Sequence, residues 1–213
     1  MKKNLVKIVN LALVLGSFIV GLWAYSRLPE RVASHWNING DVDGYTSRFG
    51  GAFFIPFMIL GLYLLFLFIP KIDPKKENRE AIMPIFDKFV TIFLLFMLYL
   101  YSLTIAFALG RDFDMTQALL PAFGLLFYYI GRMLPQAKPN WFLGIRTPWT
   151  LSNNEVWTKT HTLGGNLFKI SGILSLLGAF FPRYGFFLVI GPILIFTVYL
   201  FIYSYLEYKK LEK

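Results

Sequence analysis

Arg146, Trp149, Glu155, Trp157 and His161 are the residues of this chain whose types and spacing go beyond filling a membrane. Four of them lie in the stretch from Asn140 to Trp157, NWFLGIRTPWTLSNNEVW, a polar and aromatic island in a largely apolar sequence. His161 follows Trp157 by four residues and so shares its helical face. A histidine near a carboxylate is standard equipment for a general base or a ligand. Here Glu155 and Lys159 are its only ionisable neighbours in sequence, so packing or an interface outweighs catalysis. Arg and Trp are the types most often found as anchors when one surface grips another. The competing reading is an interfacial connector whose tryptophans sit at headgroup level.

A second group, His35, Trp36, Asn37, Gly40, Asp41 and Asp43, lies in the loop LPERVASHWNINGDVDGYTSRFG. His35 with the two aspartates has the chemistry of a metal site, but their spacing matches no calcium loop and no second histidine is near. A turn around Asn39, Gly40 and Asp41 fits better, with His35 and Trp36 packing the loop onto the rest of the chain. Elsewhere there is no HExxH pair, GxSxG elbow, paired-carboxylate motif or phosphate-cradling loop. Without cysteine there is no disulfide, thiolate nucleophile or Cys-based metal centre. No catalytic residue, metal or cofactor is assigned, and no enzymatic activity is expected.

The local backbone of the first group is set by a few special residues. Gly144 permits a turn, and Pro148 pushes Thr147 toward an extended conformation. Ser152 stands three residues before Glu155 in the spacing of a capping box, which predicts a helix from about Asn153. Such a cap is worth about 1 kcal/mol.

The elements that hold these groups are membrane spans. A chain that is 56% apolar, 19% aromatic and 15% charged is a polytopic membrane protein, all-α in class. Six segments approach the ~20 residues needed to cross a bilayer: 5–25, 51–69, 89–109, 118–134, 163–181 and 186–206. The fifth is the weakest, because Gly164, Gly165 and Lys169 crowd its start. The first continues beyond the ~15 residues of a signal core with no clear cleavage site, so it reads as an uncleaved span. Short links at 110–117 and 182–185 make spans three and four, and five and six, antiparallel neighbours.

The formal charge of +9 flanks the apolar runs instead of forming one patch, which argues against direct nucleic-acid binding. With the N-terminus cytoplasmic, only Arg27, Arg31, Arg48, Arg111 and Arg183 of the 21 basic residues face outward. The positive-inside rule therefore places both termini, the island and the connector 71–88 in the cytoplasm, and the loop 26–50 outside. Trp23 and Tyr25, Tyr99 and Tyr101, and Tyr203, Tyr205 and Tyr208 read as aromatic belts. Pro56 and the Gly191–Pro192 pair are expected to kink the second and sixth spans, with neighbouring helices or Ser and Thr side chains absorbing the freed carbonyls. The spans carry no ionisable residue away from their ends, which disfavours a proton-coupled transporter.

One integral membrane domain, 1–213, is expected, in halves 1–109 and 110–213, the second with the motif loop 135–162. Each half reads as helix, long polar loop, helix, helix; three spans per half would invert the second half, as in a 3+3 inverted repeat. A small-molecule or lipid transporter built on that repeat is the alternative function from another class.

GIRTPWTLSNNEVWTKTH resembles the signature of the SdpI family of bacterial membrane immunity proteins, matching at Arg146, Thr147, Pro148, Trp149, Thr150, Leu151, Glu155, Val156 and Trp157. LPERVASHWNINGDVDGY is similar to the domain of unknown function found at their N-termini. Thr162 is a departure, since the family often carries a basic residue there. The resemblance implies a six-span protein of the bacterial cytoplasmic membrane that protects against a secreted peptide toxin. It implies the bilayer, the toxin and possible sequestration of a cytoplasmic transcriptional repressor as partners. On these residues, the toxin would meet His35, Trp36, Asn37 and Gly40, while the inner motif braces the bundle or presents the repressor-binding face.

Overall fold

The computed structural model describes residues 2–72 and 76–211, so Pro74 of the connector 71–88, and Lys75 and Lys213 among the basic residues counted above, lie outside the described residues. The elements follow as α1 (Lys2–Tyr25), β1 (Arg31–Trp36), β2 (Val42–Ser47), α2 (Arg48–Phe68), α3 (Lys76–Ala108), α4 (Met115–Met133), α5 (Pro148–Ser152), α6 (Asn154–Gly178) and α7 (Pro182–Leu211). Among the described residues, five helical stretches are long and apolar enough to cross a membrane: Asn4–Tyr25, Arg48–Lys71, Glu80–Ala108, Met115–Gln136 and Arg183–Leu211. The chain is thus a mostly helical, multi-pass membrane protein. One end of the bundle carries the strands, and the other carries the motif around α5.

Two expectations change. The fold is not wholly helical: β1 and β2 pair antiparallel, with a register shift near His35. The turn between them is as expected, with Gly40 at φ +85. The Asn37 side chain accepts from the backbone N–H groups of Asn39 and Asp41. The connector 71–88 is also mostly helix, because α3 begins at Lys76 and runs for 33 residues. Asp87 therefore lies within a helical candidate span, not in a solvated loop. The alternating charges and Pro74 of the connector suggest a solvated link, whereas residues 76–88 are the first part of one continuous helix.

The expected fifth span, 163–181, overlaps α6, a 25-residue helix that ends at Gly178. It is not among the apolar stretches, being interrupted by His161, Asn166 and Lys169, and from residue 164 on its buried side includes Gly164, Gly165, Ser171, Gly172, Ser175 and Gly178. Small residues let helix backbones approach where lipid gives no hydrophobic drive between helices. A Cβ on Gly131 of α4 would lie 2.5 Å from the Gly165 oxygen, and one on Gly172 would lie 2.7 Å from the Gly124 oxygen. Ser175 Oγ adds a 2.8 Å hydrogen bond to the Leu120 carbonyl. α4 and α6 are thus zipped backbone to backbone, and α6 needs little greasy surface of its own.

Proline and tyrosine cooperate on the other side of the bundle. Pro56 lies inside α2 and has no N–H to offer the carbonyl of Ala52, four residues back. Tyr101 of α3 fills that gap, its hydroxyl donating to Ala52 O at 2.6 Å. Tyr101 is 0% exposed, so it belongs to the core and not to an aromatic belt. Tyr101→Phe is expected to lower stability by about 1 to 2 kcal/mol, since it leaves a carbonyl unpaired in an apolar setting. Thermal unfolding in detergent measures it, and an unchanged midpoint would contradict this account of Pro56.

Candidate functional site

The motif end is built from the turn after α4 through α5 to the start of α6. Asn140 is fully buried and organises the first bend. Its Oδ1 accepts from the N–H groups of Phe142 and Leu143, and its Nδ2 donates to the carbonyls of Lys138 and Leu143. From α3, Asn78 Nδ2 reaches the Pro139 carbonyl at 2.9 Å and ties the two halves together here. Gly144 then turns at φ +112, and a Cβ there would meet His161 Nε2 at 2.3 Å. Only glycine fits that close approach.

Thr147 is extended, as expected before Pro148, at φ −101 and ψ 162, and it caps α5. The capping box lies between Thr147 and Thr150, each side chain bonded to the other's backbone N–H. Thr147 Oγ1 also donates to Ser204 Oγ of α7 at 3.0 Å, and Thr150 Oγ1 to the Ile145 carbonyl at 2.8 Å. The expected Ser152 cap is corrected: Asn153 caps α6, accepting from the N–H groups of Glu155 and Val156. Ser152 turns back to the Pro148 carbonyl inside the one-turn helix α5, which sequence reading missed. Pro148 at the first helical position was the available signal.

Trp157 and His161 form the buried centre of the site, each 1% exposed. Their rings stack with centroids 3.9 Å apart, and Trp157 Nε1 donates to the Ala137 carbonyl at 2.7 Å. His161 Nε2 accepts from the Ile145 N–H at 3.0 Å. That acceptance assigns the ring proton to Nδ1, which donates to the Trp157 carbonyl at 2.8 Å. Burial pushes the imidazole down from 6.5 to about 4. With both nitrogens committed to backbone groups, His161 is a structural clamp and offers a substrate nothing. The folded state resists protonation, so its stability is full above about pH 6.5 and falls as the pH drops toward 4. The loss expected is on the order of 2 to 3 kcal/mol. Chemical denaturation at pH 7 and pH 4.5 measures it, and His161→Gln should flatten that dependence.

The remaining motif residues face outward or toward α7. Trp149 packs between Phe201 and Tyr205, both with centroids at 5.0 Å. Glu155 is exposed and pairs with Lys159 at 2.9 Å, and Lys159 also reaches Glu207 of α7 at 3.0 Å. Arg146 is exposed and donates to the Trp141 carbonyl at 2.5 Å. Its charge is therefore not buried. At the strand end, Trp36 packs edge-on against Phe107 of α3, centroids 5.4 Å apart. His35 does not pack: its side chain is 70% exposed and its Nδ1 lies 2.5 Å from Asp43 Oδ1. Among the described residues no group of three metal-ligating side chains converges.

These features define a multi-pass helical membrane protein with a rigid, hydrogen-bonded motif at one end and a β-hairpin at the other. Residues 136–204 match the SdpI/YfhL protein family, and residues 12–60 match the domain of unknown function DUF1648. Over its full length the chain is 28% identical to the Immunity protein SdpI of Bacillus subtilis (strain 168), across 214 residues covering 100% of this chain and 99% of that protein. The similarity carried by the RTPWT motif thus extends along the whole chain. No solved structure matches it.

Proposed function

We propose that this protein is a non-enzymatic immunity protein of the bacterial cytoplasmic membrane that protects its cell from a secreted peptide toxin. The observation that carries the reading is full-length similarity to an immunity protein, both halves of the architecture included. His161 supports it too, since both of its ring nitrogens are spent on backbone groups. The chain acts as one integral domain of six spans, the expected fifth being the part of α6 from residue 163 onward, which packs against α4 and α7 and joins the five apolar stretches. Supporting the inverted repeat, each half packs three long helices around a polar insertion, α1, α2 and α3 with the hairpin, and α4, α6 and α7 with α5. Both termini and the motif face the cytoplasm, and the hairpin faces out. His35, Asn37 and Gly40 at the hairpin then meet the toxin, with Trp36 anchoring the strand to α3.

Thr147, Thr150, Trp157 and His161 brace the bundle. Arg146, Pro148 and the half-exposed Trp141 form the face that a cytoplasmic repressor would meet. The test is expression in a toxin-sensitive bacterium lacking its own immunity gene, which should survive toxin only with the protein. Because the chain is free of cysteine, Ser152→Cys and Asn39→Cys report orientation cleanly. An impermeant maleimide should label only the second in intact cells. Unprotected cells would sink the immunity reading, and labelling at 152 would sink the orientation.

A further inference from the structure

At the hairpin end, a groove of ≈ 1090 Å³ opens between the two halves of the bundle. Its floor is the seam where α3 packs on α4, with Met97 and Phe123 lining it and the Phe96 and Phe123 rings 5.1 Å apart. Its side walls are α2 and α7, which do not pack against each other among the described residues. Trp36 and Tyr45 of the hairpin close its end. The groove is therefore a slot open sideways, at the level of the membrane spans. Phe54 of α2, 62% exposed, and Ile190 of α7, 39% exposed, stand at its two lips. Each continues into an exposed apolar helix face, through Phe57 on α2 and Phe187 on α7. In a multi-pass membrane protein those faces meet lipid, so the surface that contacts the bilayer runs without a break into the slot.

Charge does not select the occupant. At this end Arg27, Arg31, Arg48, Arg111 and Arg183 are balanced by Glu30, Asp41, Asp43, Asp112 and Asp114. No Asp, Glu, Lys or Arg is among the described residues that line the slot. A charged headgroup would find no partner inside it, and outside it would meet both signs. What the slot does supply is a hydrogen-bond donor. Trp36 Nε1 is buried without a partner, while its ring is held edge-on against Phe107. A buried indole N–H ordinarily finds an acceptor. In a phospholipid the acceptors nearest the chains are the glycerol ester carbonyls, and Trp36 stands where the spans give way to the hairpin.

We propose that this slot is a phospholipid site. One acyl chain lies along the seam of α3 and α4, an ester carbonyl accepts from Trp36 Nε1, and the headgroup stays outside, so binding is blind to headgroup charge. The site does not depend on the immunity reading. Lipid that merely surrounds the helices labels in proportion to its abundance, whereas a seated lipid saturates. The probes are phosphatidylcholine and phosphatidylglycerol carrying a diazirine on one acyl chain. Each is mixed at rising mole fraction into nanodiscs of unlabelled phosphatidylcholine that hold the protein, and mass spectrometry locates the adducts after illumination.

Labelling of Met97, Leu100 and Phe123 in the slot should saturate at low mole fraction, alike for the two headgroups. Labelling of the exposed Val198 on α7 should rise in simple proportion. Trp36→Phe, which keeps a ring against Phe107, should raise the half-saturating mole fraction about 5-fold, the worth of one hydrogen bond. Thr116→Trp, at a position lining the slot, should remove the labelling there and leave that of Val198, with both variants monodisperse. Slot labelling that rises only in proportion, that favours one headgroup, or that is unchanged in either variant would overturn the proposal. So would a slot that stays unlabelled, the result expected if a peptide or a second copy of the chain fills it.

Discussion

Trp157→Ala is expected to unfold the motif end of the protein, at a cost of about 3 to 5 kcal/mol. Three losses coincide at that position. The indole is the largest fully buried side chain, so its removal leaves a cavity beneath residues 137–143. The Ala137 carbonyl loses its donor, and His161 loses the ring on which it stacks. His161 in turn holds the Ile145 N–H, so the damage passes to the turn at Gly144 and the entry to α5. Thermal unfolding in detergent measures the total, and limited proteolysis between residues 137 and 147 localises it. Trp157→Phe keeps most of the volume and should cost about 1 to 2 kcal/mol, mainly for the unpaired carbonyl. An alanine variant as stable as the parent would show that the motif is not the brace described.

Gly172→Leu should be comparably damaging for the opposite reason, too much volume instead of too little. A Cβ there already meets the Gly124 oxygen at 2.7 Å and the Tyr128 nitrogen at 2.7 Å, both backbone atoms that cannot swing away. Helices α4 and α6 must separate along their length, breaking the Ser175 to Leu120 bond and opening the reciprocal Gly131 and Gly165 contact. Overpacking a tight site costs about 1 to 3 kcal/mol, and the upper end or beyond is expected where the obstacle is backbone. Gly61→Leu is the control, because nothing lies within 4 Å of a Cβ at that position. Comparing the two unfolding midpoints separates a packing requirement from helix propensity. Equal midpoints would refute the zipper.

The turn at Gly144, the extended Thr147 and the bend at Gly40 were all legible in the sequence, because backbone dihedral preference is a property of one or two residues. The apolar helices were legible too, since hydropathy over about 20 residues is what the bilayer selects. Resemblance located the motif but not its mechanics. Ser152 and Asn153 are both good caps, and the choice between them follows from the presence of α5, whose one signal in the sequence was Pro148 at its first position. Likewise His35 and His161 look alike as letters, yet one stands in solvent beside Asp43 and the other is sealed under Gly144.

The membrane, the five apolar helices and the places where the chain must bend were therefore determined by the sequence alone. Which side chains complete one another was decided by tertiary structure: Tyr101 with the carbonyl opposite Pro56, Gly131 with Gly165, Thr147 with Ser204, His161 with Ile145. The physical reason is range. Hydropathy and dihedral preference act over a few neighbours, whereas a buried hydrogen bond or a backbone contact joins residues tens of positions apart and exists only once the helices are set against each other.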